Sequence, residues 1–354
     1  MTAYHAVALQ ARCVAVNATT SRDEARALML GSLDRIKSQV NAAITWVSRE
    51  DCKLIVLPEY FLTGFPLGDG ISAWAEKAAL DKDGPEFETL GQIAQDARIY
   101  LAGNAFEIDP LFKGLYFQSS FVIDPSGAVI LRYRRLNSMF SPTPHDVWDR
   151  YLDAYGLDGV FPVARTPIGN LAAVASEEIL YPEVARCMTM RGAEVLLHST
   201  SQANETAKAV KEVCTVARAA ENMAYVVSAN SGGITGTPFP ESSVDGGSKI
   251  VDPHGVVIAK TGFGESLAWA EIDLTSLRRF RQRPGMENVL LRQRFEAYAA
   301  SYAAHHFYPP NTMADGVPER SHFLATQRET IRKLVATGLI EQDQREPGKD
   351  TGLR

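Results

Sequence analysis

A serine and two glutamates follow directly after a predicted buried strand in this sequence. The apolar run 171–175 ends in Ser176, Glu177 and Glu178, and Pro182 predicts that a helix begins soon afterwards. A strand-to-helix turn presents a side chain above the sheet edge beside the free backbone N–H groups of the helix start, so a nucleophile and an oxyanion site can coexist there. Ser176 is therefore a candidate nucleophile. The alternative is that Ser176 only caps a helix or lies in a loop.

A carboxylate stands at the end of a second predicted strand. The run 53–58 is almost continuously apolar and stops at Pro58, which is typical of a strand covered on both faces. Glu59 comes next and precedes the aromatic, turn-rich segment 60–66. A carboxylate held between a buried strand and an aromatic loop is a candidate general base. The alternative is a surface carboxylate at a strand end.

A third charged residue, Arg135, follows a predicted β-hairpin. The strands 117–123 and 128–132 are joined by a turn of sequence Asp-Pro-Ser-Gly, whose residue types favour a tight reversal of the chain. A near copy of this unit appears at 249–258. The repetition predicts a pseudo-twofold relation between two halves of one domain.

The long segment 139–162 contains aromatic residues, acids and prolines. A connection of this length inside a compact domain is usually functional, so we expect a lid or a specificity loop. Aromatic residues near the three candidates suggest a pocket with apolar walls, and the acids suggest room for a cationic or amide group. The candidate substrate-binding residues are Tyr60, Phe65, Trp148, Asp149, Glu177, Glu178, Tyr181 and Ser201.

Composition excludes several classes of protein. The net charge is −6 and the basic residues are scattered, so neither nucleic acid nor an anionic membrane is an expected partner. The four cysteines lie far apart without a C-x-x-C pair, which favours reduced, mostly buried thiols over a disulfide framework or a zinc site. We expect no metal and no cofactor. The first residues resemble no export signal and no apolar run is long enough to span a membrane, so a cytoplasmic location is expected.

Predicted strands and helices alternate along the chain, which indicates the α/β class. A first strand is expected at 7–16, a helix from about 20 to 49, a second helix at 87–97 and a strand at 99–106. After the turn at Ser176 we expect a helix over 182–192, a strand at 194–200, a helix over 206–221 and a strand at 224–230. From Leu274 onward the chain becomes polar and helical, with a frayed end over 342–354.

Several short motifs, in their order and spacing, resemble the carbon–nitrogen hydrolase (nitrilase) superfamily over about residues 4–283. The matching motifs are Leu57-Pro58-Glu59 with Thr63-Gly64, Tyr133-Arg134-Arg135 after the hairpin, Tyr181-Pro182-Glu183 with Arg186, Gly192-Ala193-Glu194-Val195, the run from Arg218 to Val227, and Gly247-Ser248-Lys249-Ile250-Val251-Asp252-Pro253. The resemblance implies an α-β-β-α sandwich that dimerises through the helices at the turn. It also implies hydrolysis of amides, carbamoyl compounds or nitriles through a thioester on a cysteine, with a glutamate as base and a lysine stabilising the oxyanion.

Two of the three chemical positions depart from the family pattern. Glu59 matches the glutamate, but Ser176 stands at the cysteine position and Arg135 at the lysine position. A serine hydroxyl is much harder to ionise than a thiol and normally needs a histidine, for which His145 and His198 are the spatially plausible candidates. Arg135 keeps the positive charge as a planar group that cannot lose its proton.

Three explanations compete at this stage. A deliberate replacement of the cysteine would explain Ser176 but not Arg135. A natural branch with altered chemistry would explain both, with Glu59 activating either Ser176 or a water molecule. A binding or scaffolding homologue that lost catalysis would also explain both. An unrelated Ser-His-Asp hydrolase is disfavoured because the G-x-S-x-G motif is absent around Ser176.

The resemblance also suggests the organisation of the chain. We expect a carbon–nitrogen hydrolase-like domain over 1–283 and a C-terminal extension over 284–354 at a dimer interface. The helix over 182–192 carries Val184, Cys187, Met188 and Met190 beside charged residues, a mixture suited to packing against a twofold copy. The expected partners are a small-molecule substrate and a second copy of the chain.

Overall fold

Two β-sheets pack face to face, and helices cover both outer faces. The computed structural model describes residues 3–203 and 207–342. The strands are β1 (Ala3–Gln10), β2 (Cys13–Val14), β3 (Cys52–Val56), β4 (Leu80–Asp81), β5 (Tyr100–Ile108), β6 (Tyr116–Ile123), β7 (Val129–Arg134), β8 (Ala164–Thr166), β9 (Gly169–Ala175), β10 (Val195–Ser199), β11 (Tyr225–Ala229), β12 (Ile234–Thr235), β13 (Lys249–Val251), β14 (Val257–Lys260) and β15 (Ser266–Asp273). The helices are α1 (Arg22–Val47), α2 (Ile71–Ala78), α3 (Pro85–Ala97), α4 (Trp148–Val160), α5 (Pro182–Met190), α6 (Ala207–Asn222), α7 (Leu274–Gln282), α8 (Phe295–Ala303) and α9 (Ser321–Ala336). Helices α1 and α3 cover one sheet, and α5 and α6 cover the other, so the predicted α-β-β-α sandwich is confirmed.

The two sheets repeat one arrangement, as the duplicated hairpin predicted. In the first, β1, β3 and β5 run parallel and are followed by the antiparallel hairpin β6–β7. In the second, β9, β10 and β11 run parallel and are followed by the antiparallel hairpin β13–β14. An antiparallel strand closes the other edge of each sheet, β15 beside β1 and β8 beside β9.

Alternate side chains of β1 pack into two different apolar layers of the sandwich. Val7 and Leu9 belong to the apolar cluster shared with α1, whereas Ala6 and Ala8 belong to the cluster between the sheets. Successive side chains of a strand point to opposite faces, so one strand supplies both layers. Alanines on the inner face allow a close approach of the two sheets.

The first predicted strand was too long. The expected strand over 7–16 divides at Ala11 and Arg12: β1 ends at Gln10, and β2 pairs with β12 in a separate small sheet. Gln10 is buried, donates through Nε2 to the carbonyls of Gly262 and Gly264, and accepts from the Ser248 N–H through Oε1. These bonds to another part of the chain anchor the strand end, which no local sequence pattern reveals.

The expectation of a long loop over 139–162 was wrong. This segment contains a short 3₁₀ turn and helix α4, which has non-helical backbone angles at Gly156. Tyr151 is buried and stacks on Phe112 at 5.9 Å between ring centroids. Residues 148, 151, 152 and 155 are aromatic or apolar at helical spacing, and this periodicity favours a helix that buries one face.

The C-terminal extension packs on the segment that follows the Arg135 hairpin. Phe323 of α9 is buried and lies edge-on to Phe140, with ring centroids 6.5 Å apart. Gln327 Nε2 donates to the Met139 carbonyl at 3.0 Å, and the Met313 N–H donates to the Asp146 carbonyl at 2.8 Å. Met313 and helix α9 of the extension therefore belong to the folded core, whereas no residue of α8 is buried. The frayed end was predicted over 342–354, and all of it except residue 342 lies outside the described residues.

Two of the residues predicted to face a twofold copy lie inside the chain instead. Val184 and Met188 of α5 are buried in the cluster beneath the second sheet. Met190 is 49% exposed. All four cysteines are free thiols; two of them are buried, Cys13 and Cys52.

Candidate active site

Glu59 is fixed at the point where the two sheets meet. It follows β3, and its N–H donates to the Thr200 carbonyl at the end of β10, 3.3 Å away. Ser199 Oγ donates to the Leu57 carbonyl at 2.7 Å, which adds a second link between the two strand ends. The Glu59 carboxylate is 1% exposed. A buried carboxylate is held in this way only where hydrogen-bond donors face it.

The turn after Glu59 adopts an uncommon backbone. Tyr60 has φ +58°, a conformation that few residues other than glycine adopt. Gly64 has φ +70°, and a Cβ there would lie 2.5 Å from the Cβ of Ala15. The Thr63-Gly64 pair therefore allows the loop to lie against the small sheet behind the site.

Arg135 reaches the same place from the first hairpin. It directly follows β7, and its N–H donates to the Gln118 carbonyl at 2.8 Å. Its guanidinium is buried: Nη1 lies 3.8 Å from Glu59 Oε1, and Nη2 donates to Glu177 Oε1. Nε donates to the Asn137 carbonyl at 2.7 Å. Burial acts to lower the pKa of Arg135, but the neighbouring carboxylates of Glu177 and Glu59 outweigh it and raise the pKa, so this residue stays charged.

Gln118 hydrogen-bonds to both the Glu59 carboxylate and the Arg135 guanidinium, a role that was not predicted. Its Nε2 donates to Glu59 Oε1 at 2.5 Å and to Asn104 Oδ1 at 3.1 Å. Its Oε1 accepts from Arg135 Nη1 at 2.8 Å and from the Tyr60 hydroxyl at 3.3 Å. The available signal was three successive polar residues, 118–120, inside a predicted strand, because an amide at an inward position must be hydrogen-bonded.

Ser176 stands at the end of the neighbouring strand. Its strand, β9, pairs with β10 in parallel, and Ala175 lies opposite Ser199. The parallel register places Ser176 at the same sheet edge as Thr200, to which Glu59 is bonded. Ser176 is 7% exposed and has φ +51° at the start of a 3₁₀ turn. Strained residues at a strand end are typical of functional sites.

The histidines proposed as partners of Ser176 are engaged elsewhere. His198 is completely buried; Nε2 lies 2.8 Å from the Ser176 carbonyl and Nδ1 lies 2.8 Å from the Ser228 hydroxyl. A carbonyl only accepts, so Nε2 carries the proton. Burial lowers the pKa of His198 to about 4, which keeps it neutral. His145 lies against Trp148, with ring centroids 5.6 Å apart. His198 therefore supports the backbone of the turn instead of the serine hydroxyl.

Glu178 connects the turn to the Arg135 hairpin. It is completely buried; Oε1 accepts the N–H groups of Leu136 at 2.9 Å and Asn137 at 2.8 Å, and Oε2 accepts the Tyr133 hydroxyl at 2.7 Å. Burial raises the pKa of this carboxyl, and the neighbouring Arg135 charge opposes that rise. Its oxygens are occupied by the chain itself, so Glu178 holds the site together where the sequence suggested a substrate contact.

Of the remaining predicted binding residues, some lie in or close to the site, and two lie instead at the start of α4. Tyr60 lies in the site and stacks on Phe106 at 5.2 Å, Phe65 packs 5.9 Å from Tyr60, and Tyr181 is 43% exposed beside the turn. The Ser201 and Ser231 hydroxyls lie 3.2 Å apart, close after β10. Trp148 and Asp149 instead begin α4, where the N–H of Asp149 bonds to Asn311 of the C-terminal extension.

The side chains and the cavity around the site indicate which ligands could bind there. Within the described residues no group of three or more histidine, cysteine or acidic side chains is arranged to bind a metal ion. A cavity of about 500 Å³ opens near the loop after Glu59 and is lined by Asn17, Ala18, Leu67, Gly68, Asp69, Gly236, Thr237 and Pro238. It is not lined by Glu59, Arg135 or Ser176.

In the described part of the chain, no helix is both long and apolar enough to cross a membrane.

Comparison with known proteins places the chain among relatives of the same fold. The sequence profile described as carbon–nitrogen hydrolase matches residues 21–282. This chain belongs to the carbon–nitrogen hydrolase family. The sequence motifs had indicated this superfamily, and the match covers the candidate site and every strand from β3 to β15.

The relatives of this carbon–nitrogen hydrolase family member are distant. A hydrolase of Schizosaccharomyces pombe is 25% identical over 289 residues, which cover 80% of this chain and 82% of that protein. The omega-amidase NIT2 of Homo sapiens is 24% identical over 266 residues, covering 73% and 91%. A mutant amidase from Nesterenkonia sp. AN1, solved in complex with butyramide, superposes with a TM-score of 0.61 at 20% identity, covering 84% and 97%.

Proposed function

We propose that this protein hydrolyses a non-peptide C–N bond in a small amide, carbamoyl or nitrile compound, with Glu59 as general base. The observation that carries the proposal is the buried cluster in which Gln118 joins Glu59 to Arg135 beside the Ser176 turn. A carboxylate within reach of a fixed cation can take a proton while the cation stabilises negative charge on the substrate. The omega-amidase and amidase relatives support an amide as the substrate.

Two routes use the same residues. In one, Ser176 Oγ attacks the amide carbon, its proton passes to Glu59, and the negative charge on the carbonyl oxygen lies near Arg135. The C–N bond then breaks, Glu59 returns the proton to the departing ammonia, and water hydrolyses the resulting ester. In the other route Glu59 activates water directly, and the tetrahedral intermediate releases ammonia without an ester.

A binding homologue without catalysis is the second candidate, and one observation favours it. Three N–H groups of Arg135, one on each nitrogen, are already engaged by Asn137, Gln118 and Glu177. The ring nitrogens of His198 are engaged by Ser228 and the Ser176 carbonyl. A serine without a free histidine is a weak nucleophile. Such a protein would bind an amide-like ligand in the inherited pocket.

Hydrolysis of a panel of small amides and nitriles by the wild type, Glu59→Gln and Ser176→Ala separates these possibilities. Activity lost in both variants, with an acyl adduct on Ser176 seen by intact-protein mass spectrometry, supports the serine route. Activity lost only in Glu59→Gln supports activated water. A folded wild type that releases no ammonia from any compound, but binds amides, supports the binding role.

We also propose that the protein forms a homodimer through the α5–α6 face. Exposed apolar side chains on this face include Tyr181 at 43%, Met190 at 49% and Val213 at 68%. The α8 helix of the C-terminal extension reaches it, since the Tyr302 hydroxyl donates to Glu183 Oε1 at 2.7 Å. Contiguous exposed apolar residues on a helix pair favour contact with another protein surface.

A further inference from the structure

The acceptor side chains around the Arg135 guanidinium differ sharply in their exposure to solvent. The side chains of Glu59 and Gln118 are 1% exposed and are fixed by other hydrogen bonds. Glu177, which accepts from Nη2, has a side chain that is 32% exposed. Glu177 is therefore the acceptor that can turn into solvent, where water would hydrate its carboxylate.

Exposed apolar side chains follow Glu177 in the same turn. Leu180 is 36% exposed and Tyr181 is 43% exposed in the turn that follows Glu177. Met139, which follows the Arg135 hairpin in sequence, is 48% exposed. Of the two carboxylates beside Arg135, Glu177 is the one in contact with solvent, whereas Glu59 is buried.

Departure of Glu177 would leave Nη2 of a buried guanidinium without that acceptor. An unpaired buried donor is costly, so the exchange is favoured when an incoming group accepts the hydrogen bond in turn. A charged acceptor does this better than a neutral one, because charge-assisted bonds are about twice as strong and a carboxylate matches the guanidinium fork.

We infer that the Nη2 edge of Arg135 is an exchangeable carboxylate-binding site that Glu177 occupies until a small carboxylic acid anion replaces it. The site needs no catalysis, so it stands whether the protein is a hydrolase or a binding homologue. Two sources would supply such a group: the acid released from an amide, or a carboxylate that the ligand carries in addition to its amide. Arg135 provides the cation, and Glu177 sets the affinity by competing for it.

Isothermal titration calorimetry at constant ionic strength tests this site with butyrate and butyramide, which differ chiefly in charge. Butyrate is expected to bind the wild type weakly, and Glu177→Gln is expected to tighten its binding about tenfold or more while leaving butyramide binding nearly unchanged. Glu183→Gln is the matched control, since Glu183 is an exposed glutamate of the next helix that bonds to Tyr302 instead of Arg135. It removes the same charge and should change butyrate affinity less than twofold.

Succinamate, which carries both an amide and a carboxylate, distinguishes the two sources. Tighter binding of succinamate than of butyrate to Glu177→Gln assigns the site to a ligand's own carboxylate, and equal binding assigns it to a released acid. Equal gains in butyrate affinity from Glu177→Gln and Glu183→Gln would overturn the inference. The gain would then come only from the removal of one negative charge, and not from a vacated acceptor position at Arg135. So would a Glu177→Gln variant, folded by circular dichroism, that binds butyrate no better than the wild type.

Discussion

Nη1 of Arg135 lies 3.8 Å from Oε1 of Glu59. This separation is too long for a direct hydrogen bond, and the Gln118 amide bonds to both side chains instead. Base and cation are thus held near each other without a direct bond between them. An arrangement of this kind leaves the carboxylate with an oxygen for a proton transfer while its position is maintained.

Gln118→Leu should lower the free energy of unfolding by about 3 kcal/mol, because it leaves the buried Glu59 and Arg135 without a shared partner. Urea denaturation followed by circular dichroism measures the change. Gln92→Leu is the control: Gln92 is exposed on α3 and bonds to Asp96. Its loss should cost less than about 0.5 kcal/mol. Equal effects of the two substitutions would contradict the bridging role.

His198 should make the protein less stable as the pH falls from about 6.5 to about 4. Burial lowers the pKa of His198 from 6.5 to about 4, so across this window the unfolded chain binds a proton that the folded chain does not. The integrated loss is about 3 kcal/mol. His198→Gln should flatten the pH dependence of the unfolding free energy over that window. His306→Gln, at an exposed position, should leave it unchanged. A slope that survives in His198→Gln would assign it to other groups.

The double variant Ser176→Cys with Arg135→Lys should hydrolyse simple amides at least ten times faster than the wild type. It restores the glutamate, lysine and cysteine pattern of the family around a Glu59 that is already placed, and a thiolate is a better nucleophile than a hydroxyl. Ser176→Cys alone should gain less. Ammonia release from butyramide is the measurement, and adding Glu59→Gln to the double variant should abolish the gain. A folded but inactive double variant would favour the binding role.

Phe323→Ala should lower the free energy of unfolding by about 3–5 kcal/mol, as expected when a buried aromatic side chain is truncated. Phe323 is 1% exposed and packs on Phe140, so the substitution should lower the stability of the main domain as well as that of the extension. Leu339→Ala, at a side chain that is 59% exposed, is the control and should have little effect. If both variants unfold like the wild type, the extension is not part of the folded core.

Light scattering at micromolar concentration should give about twice the mass of the 38.7 kDa chain. Val213→Asp should shift the population toward the monomer, because a carboxylate in an apolar interface loses its hydration without a partner. Trp46→Asp places the same charge on α1, in the opposite helical layer, at a residue that is 77% exposed. It should leave the dimer intact. A wild type that scatters as a single chain would refute the assembly.

The sequence alone predicted the class of the fold and the strand ends after which the candidate residues Glu59 and Ser176 lie. Apolar runs that stop at Glu59 and Ser176, and a turn motif repeated at 124–127 and 252–255, are local signals, and each was found in a strand end or a hairpin of the structure. Local patterns of this kind are readable because hydrophobic periodicity and turn chemistry act over a few residues.

Only the tertiary structure decided which groups meet. Gln118 lies 59 positions from Glu59 in sequence, and the bond between them exists because β3 and β6 both flank β5. Glu178 was expected at the substrate and was found holding the backbone of Leu136 and Asn137, because the turn after β9 lies against the end of β7. Burial and the supply of hydrogen-bond donors fixed these roles, and both are properties of residues brought together from distant parts of the chain.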